Sequence, residues 1–283
     1  MQNLTVVKSN RVIEAGYKLS LTELKILLIC TTQIDPHQEL DSHFRFEVSA
    51  KDFSDLTENF TQNEYRDLKE AAERLLSRIV TINNPYPDEP KVKQLKTHWI
   101  SFVAYIPEEG KIRLGFASEI TPYLSQLSKE FTCYRIKNIG KMNSIYAIRL
   151  YELLMQWKTT GTREIEIDWL RTRFELEDKY SSIKDLKLKV IDPAVSDINT
   201  HSNYDVSWTQ RKTGRRVTHF TFTFTEKKTV VELPVKPKRI KKVIEETVQG
   251  ITKAEIEKQA RPGESYEQAA LRIMRKNLKG AKS

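Results

Sequence analysis

The sequence predicts an α+β protein in which one helical unit with a β-hairpin occurs twice, followed by a basic tail. Two strand-like runs, FRFEVS (44–49) and REIEID (163–168), each end at a polar residue before a short helical pattern. The related stretches YRDLK (65–69) and KDLK (184–187) then each begin a longer amphipathic stretch. A hairpin pattern closes each copy, so the order is helix, strand, helix, helix, hairpin. That is the order of a winged helix-turn-helix domain.

The first copy opens on LSLTELKILLICTTQ (19–33), where Ser20 and Glu23 have the spacing of a capping box. After the strand at 44–49, a short helix is expected from Ala50 to Leu56. The stretch 59–82 is predicted to be the longer helix. Its apolar residues fall on one stripe at helical spacing: Tyr65, Leu68, Ala72, Leu75, Leu76 and Ile79. QLKTHWISFVAYI and KIRLGF, separated by PEEG, predict the hairpin.

The second copy opens on the amphipathic stretch SIYAIRLYELLMQW (144–157), after a connection at 131–143. REIEID predicts a strand followed by a cap, with Glu164, Glu166 and Asp168 as strand-face and cap residues. WLRTRFEL is the short helix and 181–199 the long one. Pro193 lacks an N–H, so it predicts either a kink or a new helix start within the long helix. YDVSWTQ and VTHFTFTF around RKTGRR predict the second hairpin.

Composition narrows the class of protein. The chain has 283 residues, enough for two ordinary domains, and a net charge of +9. Residues 226–283 carry 15 basic and 8 acidic side chains, against 32 and 30 in residues 1–225, so the tail supplies most of the excess. No apolar run is long enough to span a bilayer, so no membrane partner is expected. Cys30 and Cys133 lie among apolar residues and are expected to be buried thiols in a reducing, cytoplasmic compartment.

Three separated stretches resemble the iteron-binding replication initiators of theta-replicating bacterial plasmids. They are residues 65–80, 115–157 and 185–199, in the right order, and the resemblance covers about 5–225. It implies two tandem winged helix-turn-helix domains in pseudo-twofold relation. It also implies that monomers bind repeated sequences in double-stranded origin DNA, and that a homodimer in equilibrium with the monomer represses its own promoter. Origin opening and recruitment of the host initiator and helicase machinery follow from the same resemblance.

The predicted division has three parts. Residues 1–130 form an N-terminal winged-helix domain for dimerisation and auxiliary DNA contacts, and 131–225 form the C-terminal domain that is the main DNA reader. Residues 226–283 form a mobile, partly disordered basic linker and tail. The tail opens on the proline-interrupted basic run PVKPKRIKK (234–242). Two spacings in it, Thr252 with Glu255 and Ser265 with Gln268, fit capping boxes of short helices.

The long helix of the second unit supplies the first DNA-binding candidates. On a helical wheel Ile183, Leu186, Val190 and Ala194 share the core side, while Lys184 and Leu188 point outward. Lys187 and Lys189 fall on the flanks, where they could reach phosphates. Members of the family often have a run of arginines here. Leu188 interrupts that run and could instead contact a thymine methyl group. A merely solvated lysine face is the alternative.

The second hairpin supplies further candidates, because four cations surround Gly214. Arg211, Lys212, Arg215 and Arg216 would repel one another without a partner, and phosphates would relieve that repulsion. A hairpin tip that is charged without binding DNA is the alternative. In the first unit Asn63, Arg66 and Lys69 lie off the core stripe and are weaker candidates, since acidic neighbours dilute their charge.

The same residues argue against catalysis. The five histidines include no pair with the His-hydrophobe-His spacing of nicking initiators, and no phosphate-binding glycine loop or zinc-type cysteine pair occurs. No cofactor or metal is expected. The sequence therefore predicts a plasmid replication initiator that is not an enzyme. The alternatives are a tandem winged-helix repressor without an initiator role and, less favoured, an origin-nicking enzyme.

Overall fold

The computed structural model describes residues 4–41, 43–58, 63–227, 247–248, 251–252, 258–259 and 268–273. The chain divides into two compact parts, Met1–Lys227 and Lys228–Ser283. The first part contains two winged helices, called the first and second units below, and one continuous hydrophobic core runs through both.

The first winged helix follows a short N-terminal segment. That segment consists of β1 Thr5–Ser9, α1 Asn10–Ile13 and β2 Gly16–Tyr17. The helices and strands that follow are α2 Leu21–Thr31, β3 Phe46–Ser49, α3 Ala50–Thr57, α4 Glu64–Leu75, β4 Ile79–Asn83, β5 Gln94–His98, β6 Ile100–Ile106 and β7 Lys111–Phe116. They build two antiparallel sheets, ordered β3-β7-β6 and β2-β4-β5.

Capping interactions explain where these helices begin. The predicted capping box is confirmed: Ser20 Oγ accepts from the Glu23 N–H at 3.2 Å, and the Glu23 carboxylate accepts from the Ser20 N–H at 2.8 Å. Ser49 and Asp52 make the same reciprocal pair at the start of α3, with bonds of 3.1 and 2.9 Å. The polar residue that ends each strand-like run therefore has a physical role in the first unit.

The predicted stripe of the longer helix is correct over α4 and wrong beyond it. Leu68 and Leu75 are buried. The helix ends at Leu75, however, and Ile79 begins β4 with 48% of its surface exposed. The prediction also joined QLKTH to the hairpin. Gln94–His98 instead pairs with β4. Of the predicted hairpin strand, the part that pairs with β7 is Ile100–Ile106.

The second winged helix repeats the order of the first. A strand and a short helix lead into it: β8 Phe131–Arg135 and α5 Lys137–Gly140. Its own elements are α6 Ile145–Met155, β9 Thr162–Glu166, α7 Ile167–Phe174, α8 Ile183–Leu186, α9 Asp192–His201, β10 Tyr204–Thr213 and β11 Arg216–Glu226. Its sheet has the order β10-β11-β9, in which the first strand pairs with the last, as β3 pairs with β7 in the first unit. The predicted duplication is confirmed.

Two details of the second unit differ from prediction. Asp168 was expected to cap α7, but the N-cap position is Glu166 and Asp168 lies within the first helical turn, where its charge still suits the helix dipole. Of the two outcomes expected at Pro193, a new helix start is the one seen, since α9 begins at Asp192 with Pro193 in its first turn, but the π-helical turn before it was not predicted. Residues Lys187–Ile191 form a π-helical segment between α8 and α9, in which the Asp192 N–H bonds the Lys187 carbonyl five residues back.

The two winged helices are joined by a strand pair and by buried polar groups. β1 pairs antiparallel with β8, so the start of the chain lies against the connection between the units. Arg149 of α6 donates to the carbonyls of Ala15, at 2.6 Å, and Tyr17, at 3.2 Å. Its guanidinium also lies 3.8 Å from the centre of the Tyr17 ring.

A buried cluster of three side chains lies at the same junction. The Glu152 carboxylate accepts from the Lys8 ammonium and from the Tyr134 hydroxyl, and all three residues are buried. Burial, followed by the neighbouring Glu152 charge, raises the pKa of Tyr134 well above its usual range. A buried carboxylate needs such partners because an unpaired one is costly. The two halves are therefore held in one arrangement.

The tail unit is described only in part. Thr247–Val248 pairs antiparallel with Ile251–Thr252, and residues 268–273 are helical. The predicted basic linker 234–242 lies outside the described residues, as do Glu255 and Ser265 of the two predicted capping boxes.

Candidate nucleic-acid interface

The recognition helix is named here as residues 183–201, and local contacts fix where it begins. Ser182 is its N-cap: Ser182 Oγ accepts from the Asp185 N–H at 3.0 Å and donates to the Asp185 carboxylate at 2.8 Å. The bond from the Ser182 hydroxyl lowers the pKa of Asp185, and a second bond, from the Lys189 ammonium, lowers it further. The Asp of the KDLK tetrapeptide thus stabilises the start of the helix and leaves the lysines to face outward.

Sequence reasoning missed a second residue that sets this helix start. Arg171 of α7 donates to three successive carbonyls, those of Lys179 at 3.1 Å, Tyr180 at 2.7 Å and Ser181 at 3.2 Å. Tyr180 has φ +53°, a left-handed conformation that is uncommon for a non-glycine residue. The Arg171 bonds hold the loop in that conformation, so α7 determines where the recognition helix points. An arginine contacting carbonyls across a loop has no sequence signature.

The helix presents the predicted outward side to solvent. Leu186, Val190 and Ala194 are buried as predicted, and Ile183 is half-buried. Lys184, Leu188 and Lys189 are exposed, and Leu188 has 60% of its surface accessible. Leaving apolar area in water forgoes about 25 cal/mol for each Å², so Leu188 would gain from contact with an apolar group. The same exposure makes it available to an apolar group of a ligand.

The three lysines differ in what they contact. Lys187 donates to the Gln210 side chain at 3.3 Å, and Lys189 lies 3.3 Å from the Asp185 carboxylate and over the Tyr180 ring. Within the described ranges, no carboxylate lies within ion-pair distance of Lys184. Lys184 is therefore the cation most available to an incoming phosphate or base, and the flank lysines must exchange weak surface contacts to reach one.

The wing is named here as the β10–β11 hairpin, and its tip collects three cations. Thr213 pairs with Arg216 across the turn, and Gly214 has φ +62°, which favours glycine at that place. Lys212, Arg215 and Arg216 are exposed, and none of them forms an ion pair with a described carboxylate. Three uncompensated cations on one tight turn concentrate positive potential at the wing tip.

Arg211, the fourth predicted wing cation, has a partner. Its guanidinium donates to both carboxylate oxygens of Glu164, at 2.7 and 3.0 Å. The bonds from Arg211 lower the pKa of Glu164, and the pairing raises the pKa of Arg211. Arg211 therefore differs from the other three wing cations, which form no ion pair with a described carboxylate. Glu164 lies on β9, 47 residues earlier, so the sequence did not indicate the pair.

The recognition helix and the wing are bonded to each other. Asn199 donates its amide to the Val206 carbonyl at 2.9 Å and accepts from the Val206 N–H at 2.6 Å. Trp208 Nε1 donates to Asp192 at 3.1 Å. These bonds join the recognition helix to strand β10 of the wing at Val206 and Trp208.

The equivalent surface of the first unit is nearly neutral and self-paired. Asn63 is the N-cap of α4 and makes no side-chain capping bond, while the Arg66 guanidinium lies 3.6 Å from Asp67 and 3.9 Å from Glu70. The ammonium of Lys69 lies 5.0 Å from the centre of the Tyr105 ring. Across α4, four acidic residues outnumber three basic ones. This helix offers DNA less than the recognition helix does.

The first unit's hairpin tip differs from the wing in charge. Its turn, Pro107–Glu109, carries two glutamates. Lys111 pairs with Glu109 at 2.5 Å, and Arg113 pairs with Glu47 at 2.5 Å. These cations are already neutralised, so the positive surface is concentrated in the second unit.

Other kinds of site were sought in the part of the chain that the structure describes. No cluster of three or more histidine, cysteine or carboxylate side chains there could hold a metal ion. No helix there is both long and apolar enough to cross a bilayer.

Two family models match the chain. The model described as "Initiator Replication protein, WH1" matches residues 5–155, and "Initiator Rep protein, WH2" matches 166–224. The chain belongs to the initiator replication protein family. The family models assign one winged helix to each match, which agrees with the duplicated architecture and confirms the resemblance noted from the sequence.

Individual members of the initiator replication protein family are similar to this chain. A replication initiation protein of Escherichia coli is 30% identical over 210 residues, covering 72% of this chain and 64% of that protein. The chain thus matches about two thirds of that relative's length. The PI protein of Escherichia coli is 23% identical over 237 residues, covering 73% of this chain and 78% of that protein. The crystal structure of the Pi initiator protein in complex with iteron DNA superimposes with a TM-score of 0.69 at 21% identity, covering 81% of this chain and 99% of that one. This likeness shows that the fold is shared.

Proposed function

We propose that this protein initiates plasmid replication by binding repeated sequences in double-stranded origin DNA. The main support is that the exposed face of the recognition helix and a wing tip with three uncompensated cations belong to neighbouring elements. Side-chain hydrogen bonds join that helix to strand β10 of the wing. Family membership and the likeness to an initiator solved with iteron DNA support the same conclusion.

Each candidate has a chemical role in this proposal. Lys184 and Leu188 face bases in the major groove, where lysine donates to guanine and an apolar side chain packs on a thymine methyl group. Lys187 and Lys189 lie toward the phosphates on either rim. Lys212, Arg215 and Arg216 bind the backbone at the wing, with Arg211 joining them when it leaves Glu164.

The division of labour follows from the charge difference between the units. The C-terminal domain, 131–225, is the main DNA reader, and the N-terminal domain, 1–130, serves dimerisation and auxiliary DNA contacts. Asn63, Arg66 and Lys69 supply those contacts, because little free positive charge is present there. The segment 226–283 adds non-specific affinity through its basic residues.

The wider functions belong to the same proposal. The protein acts in the cytoplasm, binds without catalysing a reaction on DNA, and exists as a monomer in equilibrium with a homodimer. The monomer binds the origin repeats, promotes opening of the adjacent duplex and recruits the host initiator and helicase machinery. The dimer represses the protein's own promoter.

The decisive experiment asks whether the chain, supplied in trans, supports replication of a plasmid carrying only the cognate origin fragment. The wild-type chain is expected to support replication of this plasmid. The double variant Arg215→Ala/Arg216→Ala is expected to fail to support it. Lys91→Ala/Lys93→Ala is the matched control, because it removes two exposed lysines of the β4–β5 connection and should retain replication. Binding to the origin without replication in trans would instead identify a repressor. Metal-dependent strand cleavage would identify a nicking enzyme.

A further inference from the structure

The recognition helix contains one turn of unusual geometry at its DNA-facing part. Residues Lys187–Ile191 are π-helical, so this turn takes in one more residue than an α-helical turn. Leu186 is followed by buried side chains both four and five residues later, at Val190 and Ile191, and these are followed by buried Ala194 and Val195. The exposed Leu188 and Lys189 lie within the π turn, so their directions depend on it.

The sequence gives a local reason for the π turn. Pro193 cannot donate a backbone hydrogen bond, and in an α-helix its ring would clash with the carbonyl of Lys189, four residues earlier. The change from i+5 to i+4 bonding occurs directly before Pro193. Pro193 thus interrupts the hydrogen-bond pattern within the helix, next to the exposed residues Leu188 and Lys189, and not at the helix end.

The two residues that bracket the π turn both bond the same strand of the wing. Lys187 donates to the side chain of Gln210 at 3.3 Å, and Asp192 accepts from Trp208 Nε1 at 3.1 Å. Trp208 and Gln210 are two residues apart and therefore share one face of β10. The Trp208 ring is held in turn by an edge-to-face contact with the buried Phe220, at 5.2 Å between ring centres.

The π turn brings these two residues to one side of the helix. In an α-helix, residues five apart differ by about 140° around the axis, so Lys187 and Asp192 would point to different sides and reach one strand face less readily. The i+5 bond from the Asp192 N–H to the Lys187 carbonyl stacks them one turn apart. Asp192 therefore carries both the main-chain bond that defines the π turn and the side-chain bond that ties it to the wing.

We propose that the π turn and its contacts with Trp208 and Gln210 determine sequence specificity by fixing the directions of Leu188 and Lys189 relative to the wing. Asp192 and Trp208 are positioning residues in this scheme and touch no base themselves. The inference rests on the proposed function, because it requires that the recognition helix reads bases. Rotating the helix face while the wing stays on the phosphates would leave non-specific binding intact and degrade the choice between sequences.

The test compares Trp208→Phe, Asp192→Ala and Asp192→Asn with the full-length parent. Trp208→Phe removes the N–H donor and keeps an aromatic ring against Phe220. Asp192→Asn keeps an acceptor oxygen, while Asp192→Ala does not. Trp157→Phe is the matched control, because Trp157 is half-exposed at the end of α6, away from the wing contact. A binding selection over randomised duplexes and the ratio of specific to non-specific affinity are measured, together with the melting temperature.

Trp208→Phe and Asp192→Ala are expected to lower the affinity ratio by about fivefold, the effect of losing about one hydrogen bond, with non-specific affinity unchanged. Asp192→Asn and Trp157→Phe should keep the parent's ratio. A parallel fall in specific affinity, non-specific affinity and melting temperature would show a merely structural role and overturn the inference.

Leu188→Ala separates failure of this inference from failure of its premise. If Leu188→Ala changes the preferred sequence while Trp208→Phe and Asp192→Ala keep the ratio, the π-turn inference is wrong and base reading by the helix stands. If neither Leu188→Ala nor Lys184→Ala changes the preferred sequence, the helix does not read bases and both ideas fall. Origin replication in trans reports on the initiator role independently of either result.

Discussion

The Arg211 guanidinium lies against both carboxylate oxygens of Glu164, with Nε 2.7 Å from one oxygen and Nη2 3.0 Å from the other. This bidentate geometry is the one that Arg would offer a phosphate. In the proposed complex Glu164 would therefore compete with a DNA phosphate for Arg211, and it also adds a negative charge beside the wing cations.

Glu164→Gln should raise affinity for all DNA sequences, because Arg211 is released and the opposing charge is removed. One additional phosphate contact steepens the slope of log K against log salt by about 0.9. Titrations of a cognate and a random duplex at several salt concentrations measure both effects. Glu166→Gln on the same strand is the control and should change affinity less, since Glu166 forms no ion pair with a described residue. Equal slopes for Glu164→Gln and the parent would show that Arg211 stays off the backbone.

Arg215→Ala/Arg216→Ala should weaken binding to cognate and random duplexes by similar factors. Backbone contacts carry no direct sequence information, so preference should stay the same while each lost phosphate contact flattens the salt slope by about 1. Both side chains are exposed at the turn, so melting temperature should not change. The idea fails if the cognate duplex keeps the full salt slope of the parent.

Leu188→Arg should change the preferred base at one position of the repeat, toward guanine, and raise non-specific affinity through its charge. The discrimination expected for one base contact is about 1–3 kcal/mol. Lys187→Ala is its partner experiment: it should lower affinity and, because it also removes the bond to Gln210, weaken the choice between sequences without shifting that choice toward guanine. Selection over randomised repeats measures both. An unchanged preference for Leu188→Arg would mean that this face of the helix does not contact bases.

Lys25→Met should stabilise the fold. Lys25 is 4% exposed, and burial, only partly opposed by the nearby Asp197 charge, lowers its pKa to about 8. In the unfolded chain the Lys25 ammonium keeps its proton up to about pH 10.4. Between about pH 8 and pH 10.4 the unfolded state therefore binds more protons than the folded state, and the free energy of unfolding rises with pH. Below that window the cost of the buried ammonium is fully present.

The variant removes that cost, so its free energy of unfolding at pH 7 should exceed the parent's by about 1–3 kcal/mol. The gain should shrink as pH rises through the window. Urea unfolding at pH 7 and pH 9.5 measures this, with the exposed Lys18→Met as the control. A gain of the same size at both pH values would show that the amine does not titrate there.

A chain ending at Lys227 should unfold cooperatively and keep its sequence preference. The Lys227 N–H bonds the Asn203 carbonyl at 2.8 Å and its ammonium bonds the Ser202 carbonyl at 2.9 Å, so the compact unit ends after this residue. Non-specific affinity should fall, because residues 228–283 carry 14 basic and 7 acidic side chains. A chain ending at Thr225 should be less stable by about 1 kcal/mol or more, since those bonds are lost. Denaturant unfolding of both chains and a binding selection with the longer one test this.

Local patterns predicted much of the fold. The periodicity of Leu186, Val190 and Ala194 placed the core side of the recognition helix, and the Ser20–Glu23 spacing placed the start of α2. These signals depend on neighbours within a few residues. The hairpin at 204–224 was equally visible, because alternation and a glycine turn are also local.

Contacts between distant residues could not be predicted in this way. The Arg211–Glu164 pair depends on how β9 lies in its sheet, and the capping role expected for Asp168 failed because the strand turns directly into helix at Ile167. The π turn depends on Pro193 and on the bonds to Trp208 and Gln210 together. Helical-wheel reasoning assumes 3.6 residues per turn and therefore misses it.

The pairing of β1 with β8 has a consequence for how the chain is made. Thr5 lies opposite Arg135, so β1 has no strand partner in the nascent chain until about 130 further residues have been synthesised. At about 5–20 residues per second, that wait is on the order of ten seconds. During it the apolar face of β1, including the fully buried Val6, stays unpaired in the nascent chain. The first winged helix can collapse during this wait, because all of it precedes β8 in the chain and its contacts are more local, whereas the second follows β8 in the chain. Closure of the β1–β8 pair therefore becomes possible between the completion of the first winged helix and that of the second.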